Sequence, residues 1–203
     1  RYYAANTLGS FLQAEDRYDD ALQAYYQAFH AIENSSHPRT AVRKIYLQGA
    51  IAGLNTVLAQ YQKADDLLQT AIKQAQSDAT LNFMLPDLYL QLGVNHASQQ
   101  QYQAAEQANQ QGLQWARKLN NTLSSATLLN NIGDLRLKQG QYAQAVPLFT
   151  EARQLAEQLH FSAMVLTADF NLGYIKVLQG KHQEGLAQMA TMVEKARELQ
   201  LPD

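Results

Sequence analysis

An aliphatic residue followed by a small one recurs five times along this chain, as Leu8-Gly9, Ile51-Ala52, Leu92-Gly93, Ile132-Gly133 and Leu172-Gly173. Nine residues after each small residue stands a ring, Tyr18, Tyr61, Tyr102, Tyr142 or His182, and successive rings are 43, 41, 40 and 40 residues apart. Three positions further on come Ala21, Ala64, Ala105, Ala145 and Gly185. Four beyond those come Tyr25, Leu68, Asn109, Phe149 and Met189. A period kept at this many offsets marks an array of like units. Short polar breaks separate the units, and Ser35-Ser36-His37-Pro38 is the longest of them.

The pattern predicts paired helices. Gly or Ala recurs where two helices cross closely, because a bulkier side chain would push the axes beyond the roughly 8–10 Å of close packing. The aliphatic neighbours add apolar area to the same face. The ring at the start of each second helix packs under the turn and keeps its polar tip wet. The predicted pairs are 1–14 with 17–33, 38–59 with 61–77, 80–99 with 101–119, 121–139 with 141–159, and 161–179 with 181–199. Ser36 or His37 with Pro38 reads as a helix start, since Pro suits a first turn. Gly140 and Gly180 fall where a tight turn needs positive φ. Pro147, in the second turn of its helix, removes one backbone hydrogen bond there. Asp19-Asp20 and Asp65-Asp66 read as carboxylates in the first turn of a second helix, favourable to the helix dipole. His182 and Gly185 make the fifth unit the most divergent.

The order aliphatic–Gly, Tyr, Ala, large residue, Ala resembles the tetratricopeptide repeat. It reads Leu8-Gly9, Tyr18, Ala21, Tyr25, Ala28 in the first unit and Ile132-Gly133, Tyr142, Ala145, Phe149, Ala152 in the fourth. The common form of that repeat has 34 residues, whereas the units here are near 40. HEAT and armadillo repeats have that length but lack this register. The longer form is similar to the repeats of kinesin light chains, MalT-like activators and bacterial peptide-sensing regulators. The resemblance implies an all-α fold, a right-handed superhelix of about five antiparallel helical hairpins. The chain then reads as one array over 1–203, with repeats at 1–34, 38–78, 80–119, 121–159 and 161–199. It is expected to be part of a longer protein.

Composition narrows the chemistry. The 203 residues include 10 Gly and 4 Pro, too few for a loop-rich β protein, and the net charge of −2 gives no reason to expect nucleic acid as a partner. The absence of Cys removes disulfides and every thiolate metal site. The five histidines are nowhere three to five residues apart, so no helical ligand pair exists. There is no phosphate loop, nucleophile elbow or dinucleotide fingerprint. The expectation is therefore no catalytic residue, no cofactor and no metal. No apolar run is long enough to span a bilayer, so membrane insertion is not expected; the cytoplasm is the favoured compartment and the periplasm the alternative.

Stacked hairpins present a concave face built from their first helices. Residues two before each small residue point toward it: Thr7, Ala50, Gln91, Asn131 and Asn171. The resemblance implies that Asn here hydrogen-bonds a peptide backbone, and an amide side chain offers both donor and acceptor. Asn131 and Asn171 match that feature, Gln91 loosely, and Thr7 and Ala50 depart from it. One residue after the small residue come Ser10, Gly53, Val94, Asp134 and Tyr174. The expected ligand surface is thus Asn131, Asn171, Gln91, Asp134, Lys138 and Tyr174, with Tyr46 on the second repeat. The Lys/Arg set that grips a terminal carboxylate in some tetratricopeptide domains is missing. The expected function is protein or peptide binding within a larger bacterial regulator or signalling protein. The rival is a scaffold that self-associates as a homodimer through its terminal helices or braces a complex.

Overall fold

The computed structural model describes residues 1–198. Among the described residues it is all-α, with no strand. The helices are α1 (Tyr2–Ala14), α2 (Tyr18–Ile32), α3 (Thr40–Val57), α4 (Tyr61–Ser77), α5 (Leu85–Ser98), α6 (Tyr102–Lys118), α7 (Thr122–Lys138), α8 (Tyr142–Gln158), α9 (Ser162–Leu178) and α10 (His182–Glu198). α1 with α2, α3 with α4, α7 with α8 and α9 with α10 pair as hairpins, as the small–large register requires. The chain divides into two compact units, with the boundary between Ala108 and Asn109, inside α6.

The recurring small residue is a socket. A Cβ on Gly9 would lie 2.8 Å from the Tyr25 ring, and one on Gly133 would lie 2.9 Å from the Phe149 ring. On Gly173 it would lie 3.0 Å from the Met189 side chain. In these three hairpins the large residue of the second helix fills the gap that the small residue leaves in the first. Tyr25 and Phe149 are buried in consequence. Gly185 is part of the same geometry, since its Cβ would lie 2.6 Å from the carbonyl oxygen of Gly173. The divergent fifth repeat therefore has a backbone-to-backbone approach that Ala would obstruct.

In the first unit, α2 contributes Ala21, Ala24, Tyr25, Ala28 and Ile32 to a core shared with Leu12 of α1 and with Leu47, Ile51 and Leu54 of α3. Asn55 and Asn95 are buried with it. The Asn55 amide donates to the Ile51 carbonyl at 2.8 Å. The Asn95 amide donates to the Tyr61 carbonyl at 3.1 Å, and its oxygen accepts from Thr56 at 3.1 Å. These bonds satisfy two amides that would otherwise be costly to bury and pin α5 to the α3–α4 turn. In the second unit, Phe149 and Ala145 of α8 pack with Leu137 of α7 and Ile175 of α9.

The turn inside each hairpin is one motif repeated. Asp16, Ala59, Gln100, Gly140 and Gly180 all have positive φ. The next N–H reaches back to close the helix: Arg17 to the Leu12 carbonyl at 2.9 Å, Gln60 to Asn55 at 2.7 Å, Gln141 to Arg136 at 2.8 Å and Lys181 to Lys176 at 2.9 Å. This is the Schellman closure. Two of the five positions carry the Gly expected there; Ala59 takes the same left-handed conformation with a Cβ in place.

Three local expectations are corrected. The helix after Pro38 begins at Thr40, because the N–H groups of Arg39 and Thr40 are held in a turn by His37. The stretch Ala79–Met84 is a 3-10 helix, capped by the Asp78 carboxylate on Thr80 N–H, and the α-helix starts only at Leu85, with Pro86 in its first turn. Asp65 and Asp66 lie beyond the first turn of α4, one turn deeper than Asp19 and Asp20 in α2. There Asp65 faces His96 of α5, with 3.6 Å between carboxylate and ring nitrogen. Leu199, the predicted end of the last helix, lies outside the described residues.

The socket and the turn each predict an outcome. Gly133→Leu should lower stability by about 1–3 kcal/mol or more, as overpacking does, measured by urea denaturation. Ala59→Gly should raise it by about 1 kcal/mol, since a left-handed non-Gly residue carries a penalty of that order, while Gly140→Ala should lower it by a similar amount. Unchanged midpoints in all three would contradict the register.

Candidate functional site

A concavity lies in the first unit, in the face formed by α1, α3 and the start of α5. It is a groove of 810 Å³ whose lining includes Asn6, Arg43, Tyr46, Phe83 and Gln91. Its volume is that of an ordinary ligand site. The floor is open because Gly49 and Gly53 sit one turn apart on α3. The Gln91 amide lies across them, 3.1 Å from where a Cβ on Gly49 would stand. Tyr46 rises at the side, half exposed, and Phe83 of the 3-10 helix stands opposite, also exposed.

The polar groups of the groove are held in place. The Arg43 guanidinium lies 4.9 Å from the centre of the Tyr2 ring and 5.1 Å from that of Tyr3. It also donates to the Tyr3 hydroxyl at 2.6 Å. Stacking on tyrosine faces restrains a cation that would otherwise sample many rotamers. The Tyr25 hydroxyl donates to Gln13 at 3.1 Å and shares a hydrogen with Ser10 at 3.2 Å. The side-chain amide oxygen of Asn6 is buried and has no hydrogen-bond partner, while its backbone carbonyl accepts from the Ser10 hydroxyl at 3.2 Å. Burial pushes the phenols of Tyr2 and Tyr25 above their ordinary range; the Arg43 charge opposes this at Tyr2, and the Ser10 hydrogen bond opposes it at Tyr25.

The sequence-predicted residues fall in two places. Tyr46 and Gln91 share the groove just described. The other five lie in the second unit, on α7 and α9. Asp134 and Lys138 face each other in an ion pair of 2.7 Å, both well exposed. Asn171 approaches Asn130 rather than Asn131, with 3.5 Å between its amide nitrogen and the Asn130 oxygen. Asn131 is half-buried on α7, and Tyr174 is 40% exposed on α9. The spacing argument did not reach Asn6, Arg43 and Phe83. Asn6 and Phe83 lie outside the two register positions used to place the groove, and Phe83 sits on a 3-10 segment. Gly49 and Gly53, one turn apart on one helix, were the visible sign of an open floor.

Among the described residues no group of three or more His, Asp or Glu is placed to hold a metal ion. No described helix is long and apolar enough to cross a membrane.

Hairpins of this length, closed by the same turn and, in three of them, by the same small–large contact, define a helical-repeat protein. A tetratricopeptide-repeat profile matches residues 84–158 and 124–190, together more than half of the chain, and the chain belongs to the tetratricopeptide repeat family. No curated protein sequence matches it. Among solved structures it is similar to aspartyl phosphate phosphatase F from Bacillus subtilis, with a TM-score of 0.85 and 18% identity over 98% of this chain and 51% of that one. It is similar to a Rap protein complexed with competence and sporulation factor, with a TM-score of 0.80 and 18% identity over 97% of this chain and 54% of that one. It is also similar to the nearly identical TPR-like repeats of a Podosopora anserina protein assigned as a kinesin light chain, with a TM-score of 0.75 and 16% identity over 98% and 95%. The chain spans about half the length of the first two. At these identities the likeness is one of fold.

The raised phenol of Tyr25 makes stability depend on alkaline pH. Its neutral form is favoured in the folded state, so its contribution is intact below the ordinary tyrosine value of 10.0 and is lost as pH rises through the higher folded value. Urea melts between neutral pH and strongly alkaline pH should show stability falling above that point in the parent. The fall should be shallower in Tyr25→Phe; equal slopes would rule out the assignment.

Proposed function

We propose that this chain is a binding module for an extended peptide or protein segment, and that the α1–α3–α5 groove receives it. The observation that carries the reading is the groove itself. It has an open glycine floor, an amide lying over that floor and aromatic walls. An extended segment brings unpaired backbone N–H and C=O groups. The Gln91 amide can serve either. Tyr46 and Phe83 supply apolar contact with few rotamers to lose. A Rap protein of similar fold is described as complexed with competence and sporulation factor, which supports the same reading for this chain. The role is binding rather than catalysis, and the natural setting we propose is a larger bacterial regulator whose other parts respond to occupancy.

The face of α7 and α9 is proposed as a further contact surface, through Asn131, Asn171 and Tyr174, with the Asp134–Lys138 pair opening to meet a charged ligand. The pair is exposed and four residues apart, so its own attraction is worth only a few tenths of a kcal/mol and opposes such an opening weakly.

Peptides selected from a random display library on the purified chain provide the test, with affinity read by fluorescence polarisation. Gly49→Leu, which fills the floor, and the Tyr46→Ala, Gln91→Ala pair should each weaken a selected peptide by about tenfold or more, since one lost hydrogen bond to a buried amide costs about 1–3 kcal/mol. Gln74→Ala, exposed on α4, should have no effect. The Asn131→Ala, Asn171→Ala pair should weaken the same peptides if the second surface takes part. Peptides that bind both groove variants as tightly as the parent would refute the groove.

A further inference from the structure

Arg43 is the one cation among the described residues that line the α1–α3–α5 groove. It stands near the start of α3 and is half-buried. The Tyr2 and Tyr3 rings lie edge to face with their centres 5.1 Å apart, and the guanidinium is in contact with both. A ring contact consumes none of the five N–H groups that an arginine carries. Among the described residues this side chain donates one hydrogen bond, to the Tyr3 hydroxyl. No carboxylate is among its partners. Elsewhere in the chain Arg17 pairs with Asp20, Arg117 with Glu151, Arg153 with Glu157 and Asp169, and Arg197 with Glu194. A charge partly withdrawn from water and given no counter-ion is costly. A ligand that brings the counter-ion removes that cost.

We propose that Arg43 receives the side-chain carboxylate of an Asp or Glu in the segment that occupies the groove, so that the ligand is an acidic extended segment. This rests on the groove being the binding site. A planar guanidinium meets a carboxylate through two parallel N–H···O bonds. The two rings and the Tyr3 hydroxyl hold that fork before the ligand arrives, which leaves little rotamer freedom to lose on binding. One cation, in a chain of net charge −2, suits a single carboxylate better than a phosphate or a run of acids. A chain-end carboxylate would call for several donors converging on it, and Arg43 stands alone among cations there. Asp87 lines the same groove from α5, at the position that matches Tyr46 one repeat earlier. Its charge disfavours a second acid. The ligand is therefore acidic beside Arg43 and neutral or basic beside Asp87.

Random peptides displayed on phage and selected on the 203-residue chain provide the test, with affinities read by fluorescence polarisation. The retained peptides should share one acidic position. Replacing that residue by Asn or Gln should weaken binding to the parent chain by about tenfold or more. This change is made in the peptide, so it is informative even if an Arg43 variant folds poorly. Arg43→Gln should cause the same loss, and the two changes together should cost no more than either alone. Arg43→Lys, which keeps the charge without the fork, should fall between. Tyr3→Phe, which keeps the ring and removes the hydroxyl, should weaken the acidic peptide and leave its Asn or Gln version unchanged. Amidating the peptide's C-terminus should have no effect. Peptides that lose affinity with Gly49→Leu but are indifferent to Arg43→Gln would overturn the acidic ligand and leave the groove standing. So would a loss on amidation in place of a loss on replacing the acid. Peptides indifferent to Gly49→Leu, or a selection that retains none, would remove the groove and this proposal with it.

Discussion

Everything in this fold depends on one steric arrangement, a missing side chain on the first helix of a hairpin filled by a large one on the second. The Tyr25 ring over Gly9, the Phe149 ring over Gly133 and the Met189 side chain over Gly173 are three instances. Each lets two helix axes come close enough for the flanking Leu, Ile and Ala residues to lose water together. Because the socket recurs at nearly constant spacing, each hairpin presents a similar outer surface, and the next hairpin can pack on it. The chain thus builds a core from local pairings, with little need for contacts between residues distant in sequence.

The same economy decides which side chains are free for other work. Second helices spend their apolar faces on their own hairpin and its neighbour. First helices have one face in the core and another turned outward, so it is α1, α3 and α5 that line the groove. Where α3 carries Gly49 and Gly53 instead of side chains, the groove floor drops and Gln91 lies across it.

Turns show how repetition tolerates local strain. All five intra-hairpin turns take positive φ, yet only Gly140 and Gly180 are glycines. The Schellman hydrogen bonds and the socket contact fix the turn so firmly that Asp16, Ala59 and Gln100 are held in a conformation they disfavour alone. Tertiary packing outweighs a local preference of about 1–2 kcal/mol.

Read alone, the residues determined the period, the pairing of helices, the sockets and the all-α tetratricopeptide class, because all of these follow from which side chains are small, large or apolar at fixed offsets. They also marked Tyr46 and Gln91 for the concave face, since helical periodicity decides which way a residue on a known helix points. Sequence could not rank the concave positions by depth. That depended on how Gly49, Gly53 and Gln91 met across two helices, and on a 3-10 segment that brought Phe83 to the rim. Nor could it foresee that Asn171 would meet Asn130 in preference to Asn131, or that Asp65 would lie one turn deeper and face His96. Such pairings are set by the angle and offset between helices, which arise from the sum of many side-chain contacts and are written at no single position in the chain.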